Sequence, residues 1–183
     1  MTFEDLMKEA EPGDLLFFGG ERWWSKLIKL RTWSRWSHVG MVVDKDNEGR
    51  VLVCEALEGY GVRTVDAEEW MTWKGSIGLG EVLMRIEAKR MSADYMLSQV
   101  GMRYASPRQF IRSFSFLWRR IAKFIGLPAD TDANRWFCSE LVAAAIQSAD
   151  QITWKKKPAK MQPGDLAESY HLRIVGVLEY PYE

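Results

Sequence analysis

Apolar residues in this chain fall into short runs separated by glycine, proline and acidic turns, a pattern of brief strands and short helices. Residues 2–10 alternate as a short amphipathic helix and run into Glu11-Pro12-Gly13-Asp14, a turn signal. Residues 15–18 read as a buried strand that Gly19-Gly20 should end, and residues 21–31, rich in Trp and Lys, read as a short helix. A β-branched run at 39–43, a polar stretch at 44–49 and a second apolar run at 51–54 predict a hairpin with a long loop. Further strands are expected at 59–63 and 81–86, with a closing strand at 174–178. Residues 92–100 have helical spacing, with Ser92 as N-cap and Gly101 near the end. In 108–125, Phe110, Phe114, Leu117, Ile121 and Phe124 recur at steps of three and four, which predicts another helix. A loop to residue 134 precedes an alanine-rich helix at 137–148, and a second Pro-Gly-Asp stands at 163–165. No repeat or linker interrupts the series, so the fold class is α+β over one domain, residues 1–183.

Composition narrows the picture modestly. With 183 residues, 47% hydrophobic and 27% charged, the chain is long enough and apolar enough to bury a core. Its 25 basic and 25 acidic residues cancel, so no overall field draws it to nucleic acid. The acidic first ten residues lack the basic start and apolar run of a secretory signal, and no apolar stretch reaches the roughly 18 residues of a membrane span. Two cysteines make no disulfide framework. A cytoplasmic location is the expectation. Nine Trp and eight Phe are plentiful, and most of them should serve the core.

Chemistry concentrates at three positions. Cys138 stands where the polar loop ends and the alanine-rich helix begins, so its thiol lies in a first helical turn. Unpaired backbone N–H groups and the positive end of the helix dipole stabilise a thiolate there and can bind an oxyanion. His38 opens the strand His-Val-Gly-Met-Val-Val, and Glu55 closes the returning strand. A hairpin turning between Asp46 and Asn47 sets His38 directly opposite Glu55, on one face, where the carboxylate can orient the imidazole. Cys54, one residue away, then points to the other face, which argues against a Cys54–Cys138 disulfide. His171 precedes a strand but has no such carboxylate partner and reads as a loop histidine.

These residues resemble the NlpC/P60 superfamily of papain-like hydrolases in its circularly permuted, YiiX-like branch. The resemblance rests on Pro12-Gly13-Asp14-Leu15-Leu16-Phe17, Ser37-His38-Val39-Gly40-Met41-Val42, Glu55-Ala56, Gly101-Met102-Arg103-Tyr104 and Phe137-Cys138-Ser139-Glu140-Leu141-Val142, with histidine preceding cysteine in the chain. It implies a small antiparallel barrel or sheet packed against the cysteine helix, with Cys138 as nucleophile, His38 as base and Glu55 as third residue. Phe137-Cys138-Ser139-Glu140 departs from the Asn-Cys-Glu-His type of the lecithin–retinol acyltransferase-like relatives. Residues 108–134 are longer than that pattern requires and read as a helical insertion beside the cleft.

The expected activity is that of a cysteine peptidase or amidase, acting on an amide bond such as that of a cell-wall-type peptide, without cofactor or metal. Ser37, Trp136 and Ser139, close to the triad in sequence, and Tyr104 of the Gly-x-x-Tyr are the expected substrate contacts. Lipid-directed thiol esterase or acyltransferase chemistry is the alternative, with 108–125 as a basic amphipathic helix on a membrane surface. A non-catalytic ligand-binding module would have no need of an activated thiol. Zinc binding by the cysteines and histidines lacks the short ligand spacings of zinc sites.

Overall fold

The computed structural model describes residues 2–21, 25–26, 29–30, 33–104, 135–150 and 152–180. The sequence-predicted helix at 108–125, its insertion and its proposed lipid contact lie outside these residues. Most of the 21–31 segment does too.

Helix α1 (Phe3–Glu9) is capped by Thr2, whose hydroxyl accepts from the Asp5 N–H at 3.1 Å while Asp5 accepts from the Thr2 N–H at 2.9 Å. Strands β1 (Leu15–Gly20), β2 (His38–Lys45), β3 (Val51–Leu57), β4 (Gly61–Asp66) and β5 (Gly75–Val82) follow, with a 3-10 segment at Ala67–Thr72 between the last two. Helix α2 (Ile86–Ser98) leads to the two-residue strand β6 (Arg103–Tyr104). Beyond 105–134 come β7 (Arg135–Trp136), helix α3 (Cys138–Ala149), a 3-10 turn at Pro158–Lys160, helix α4 (Pro163–Ala167) and strand β8 (Leu172–Leu178).

Six strands form one antiparallel sheet in the order β4-β3-β2-β1-β5-β8. The sheet is open rather than closed into a barrel. β6 and β7 pair separately, in parallel. One core cluster takes Leu15, Phe17, Val39, Met41, Cys54 and Ala56 from the sheet against Met96 of α2 and Leu141, Val142 and Ile146 of α3. The other takes Leu16, Phe18, Val42, Val53 and Leu79 against Leu6 of α1 and Trp70. Neighbouring residues of one strand divide between the clusters, as the two-residue period of a pleated strand requires.

Several boundaries differ from the sequence reading, each for a packing reason. Gly19 and Gly20 continue β1, paired with Ser76 and Gly75, because a bare backbone is needed there: a Cβ at Gly19 would lie 2.6 Å from the Arg35 carbonyl. The strand expected at 81–86 is displaced to Gly75–Val82. Its glycines hid it, yet Gly78 is the only residue that fits beneath the Trp36 ring, 2.5 Å from where a Cβ would stand. Ser92 is not an N-cap but a fully buried mid-helix residue whose hydroxyl donates to the Ala88 carbonyl at 2.9 Å. The second Pro-Gly-Asp forms the first turn of α4. No described helix is long and apolar enough to cross a membrane.

Candidate active site

His38 is the first residue of β2 and Cys138 the first of α3, so each sits at an end of its element and the two meet at one end of the sheet. Between them and Glu55 the hairpin decides the geometry. Its register differs from the sequence reading by two residues: Glu55 stands opposite Gly40, not His38, and an irregularity between Val42 and Asp44 absorbs the extra residue. A shift of two preserves the face, so His38 and Glu55 become diagonal neighbours rather than direct ones. Gly40, with no side chain between them, leaves the space. The Glu55 Oε2 lies 2.6 Å from His38 Nε2.

The site is dry. Glu55 is 0% exposed, Cys138 7% and His38 8%. Burial alone would lower the pKa of the ring, but the charge and hydrogen bond of Cys138, then those of Glu55, overcome it and raise it to about 10. His38 is thus held between two acidic partners that favour its protonated form. Burial works against the Glu55 carboxylate as well, and the bonds and charges of His38 and Arg63 more than offset it, holding it below the usual glutamate range.

Phe137 is the N-cap of α3 and provides no side-chain acceptor, so the N–H groups of the first turn carry no side-chain cap. A negative charge on the sulfur or on a bound oxygen can use them. The long contact from the Phe137 N–H to Glu140 Oε2, 3.5 Å, leaves this largely intact.

The other expected contacts separate into two kinds. Tyr104 and Trp136 come together as the last residues of β6 and β7, beside the cysteine. The Tyr104 ring meets Phe137 edge-on at 5.9 Å, and its phenol is pushed well above the ordinary tyrosine range by burial, then by the charge of Cys138. Trp136 is half-buried and its Nε1–H donates to Gln99 Oε1 at 3.1 Å. The two serines have partners in the protein: Ser37 Oγ donates to the Phe18 carbonyl and accepts from the Gly20 N–H, tying β1 to the start of β2. Ser139 Oγ donates to the Met161 carbonyl at 2.7 Å.

Cys54 and Cys138 both border the helix-side core, and both thiols are free. Burial, then the Glu55 charge, pushes Cys54 up to about 12, which leaves it inert. His171 stands between the rings of Trp154 and Tyr170, just before β8.

Three neighbours escaped the sequence reading. Arg63 of β4 is the direct cross-strand partner of Glu55, and its Nε and Nη2 donate to Oε1 at 3.0 and 2.8 Å. Counting across the short turn at 58–60 could have found it. Trp70 and Trp73 stack on each other and flank the His38 ring at 5.3 and 6.0 Å. No local signal marked these two out from the other tryptophans.

A family model described as the permuted papain-like amidase enzyme, YaeF/YiiX, C92 family, matches residues 9–170. The structure resembles a crystal structure of the metalloprotein YiiX from Escherichia coli O157:H7, with a TM-score of 0.65 and 19% identity over 92% of this chain and 97% of that one. At that identity the likeness speaks for the fold. No curated protein matches the chain. Among the described residues no group of three or more His, Cys, Asp or Glu is placed to hold a metal ion. The match over 9–170 narrows the NlpC/P60 resemblance to its YaeF/YiiX branch, and by it this chain belongs to the C92 family of permuted papain-like amidases, which are cysteine peptidases and amidases.

Proposed function

We propose that Cys138, His38 and Glu55 form a catalytic triad that hydrolyses an amide bond through a thioacyl-enzyme, with a peptide of the cell-wall type as substrate. The observation that carries this is the His38 ring, bonded through Nε2 to Glu55 and interacting with Cys138. The Cys138 sulfur attacks the carbonyl carbon, and the carbonyl oxygen gains the negative charge. The backbone N–H of Cys138 receives that oxyanion. As the C–N bond breaks, the imidazolium gives its Nδ1 proton to the leaving amine. Neutral His38 then takes a proton from water, whose oxygen attacks the thioester and releases the acid. Glu55 holds the ring in the orientation both steps need.

Tyr104 and Trp136 supply an aromatic wall on which the substrate lies, while Ser37 and Ser139 hold the strand and helix ends in place. Residues 1–183 act as one catalytic unit in a reducing, cytoplasmic setting. A single sheet covered by elements from both ends of the chain, and two free cysteines, support that reading. A binding module without turnover is disfavoured, because dehydrating a charged pair without using it would be costly.

Iodoacetamide is expected to label Cys138 at neutral pH and to spare Cys54, with labelling lost in His38→Ala. On a panel of N-acyl amino acids and cell-wall peptides, Cys138→Ala should abolish turnover with the fold unchanged by circular dichroism. Undiminished turnover in Cys138→Ala would remove the assignment.

A further inference from the structure

The carboxylate that orients His38 is itself oriented by a second group. Glu55 and Arg63 face each other across β3 and β4, and the guanidinium donates twice to one oxygen, Oε1, leaving Oε2 to His38. Arg63 is held in turn: its Nη2 reaches Glu69 Oε1 at 2.5 Å, and its plane lies 4.5 Å over the Tyr60 ring. Glu69, Arg63, Glu55 and His38 thus form a line of acidic and basic groups in alternation, from the half-exposed Glu69 to the imidazole that interacts with Cys138. We propose that Arg63 is a positioning residue of the active site, gripping one oxygen of Glu55 so that the other is presented to the imidazole. This rests on the triad proposed above.

A fully buried carboxylate with one partner would be free to rotate about its last bond and would bind a proton more readily. The fork contact prevents the rotation, since two N–H groups on one oxygen define its direction. It also supplies positive charge on the side away from His38. Among the described residues, the charged or titratable groups that bond to Glu55 are His38 from β2 and Arg63 from β4, while its chain neighbour Cys54 feels its charge from the other face of β3. Glu69, in the 3-10 segment, acts through Arg63, and Cys138, on α3, acts through His38.

Loss of Arg63 therefore raises the proton affinity of Glu55. A Glu55 that protonates at higher pH stops supporting the imidazole sooner, and this moves the acid limb of Cys138 alkylation to higher pH. A residue needed only for folding would lower the yield of active protein without moving that limb.

The test is the second-order rate of Cys138 alkylation by iodoacetamide between pH 4 and 9, in the wild type, Arg63→Gln and Arg63→Lys. For Arg63→Gln the acid limb is expected to rise by about 1 pH unit, the size of losing one opposite charge at ion-pair distance. Arg63→Lys keeps the charge without the fork, so its limb should return toward the wild type while the plateau rate stays reduced. If Arg63→Gln does not fold, Arg63→Lys decides: a profile matching the wild type in both limb and plateau overturns the proposal. So does an Arg63→Gln limb that coincides with the wild type. Should wild-type Cys138 resist alkylation altogether, the triad fails first, and the inference about Arg63 with it.

Discussion

At the scale of single residues, the His38 ring is the point on which the charges converge. Its pKa stands near 10 against an ordinary 6.5 because Cys138 and Glu55 outweigh burial. A raised folded-state value means that the group stabilises the fold fully below 6.5 and that this contribution fades as pH rises toward 10. Removing the sulfur deletes the largest of the raising influences. In Cys138→Ala the imidazole should titrate at clearly lower pH, followed by the ring proton resonances. The window in which the protonated ring stabilises the protein should narrow from its alkaline side, read as melting temperature against pH. A ring that titrates unchanged would mean that the sulfur does not act on it.

At the scale of elements, the β2–β3 hairpin does most of the assembling. Local pattern was enough to find both strands and to place His38 and Glu55 on one face, but not to settle the register. The irregularity between Val42 and Asp44 depends on how the loop packs, and the sequence offers no periodic mark for it. Gly40 is the position where register and chemistry meet. It lies opposite Glu55, and a Cβ there would come 2.6 Å from Val53 Cγ1 and 3.2 Å from the Trp70 ring. Gly40→Ala should therefore cost about 1–3 kcal/mol, the range for overpacking a tight core, measured by urea unfolding. It should also slow Cys138 alkylation by pushing Trp70 against His38. Helix α3 needed less from its surroundings: the polar-to-alanine change at its start was visible in sequence, and Cys138 is its first residue.

At the scale of the whole molecule, Asp14 ties three parts together from the turn before β1. Its Oδ1 accepts from Lys89 of α2 at 2.7 Å and from the Val82 N–H of β5 at 3.1 Å, while Oδ2 accepts from the Glu11 N–H. Burial raises its pKa in spite of these bonds, with the ion pair to Lys89 the strongest influence against it. Lys89→Met would leave that carboxylate buried without a cation. We expect a loss of about 3 kcal/mol at neutral pH, in line with breaking a buried pair from one side. The loss should shrink as pH falls and Asp14 takes up a proton. Thermal unfolding of both proteins at pH 7 and pH 4 measures it, and an equal loss at both values would mean that charge is not the cause.

The sequence by itself determined which groups were available and most of the elements that carry them. It held a cysteine at a helix start, a histidine at a strand start, and a glutamate on the same face of the returning strand, because those features are written in local periodicity and in polar-to-apolar boundaries. It also placed Cys54 on the opposite face, since alternation along a strand is a local property. Only the tertiary structure decided the diagonal pairing of His38 with Glu55, the fork from Arg63, and the tryptophan pair beside the imidazole. Those contacts join segments whose approach depends on strand register and on where glycine lets backbones and rings come close, and neither is encoded at any single position of the chain.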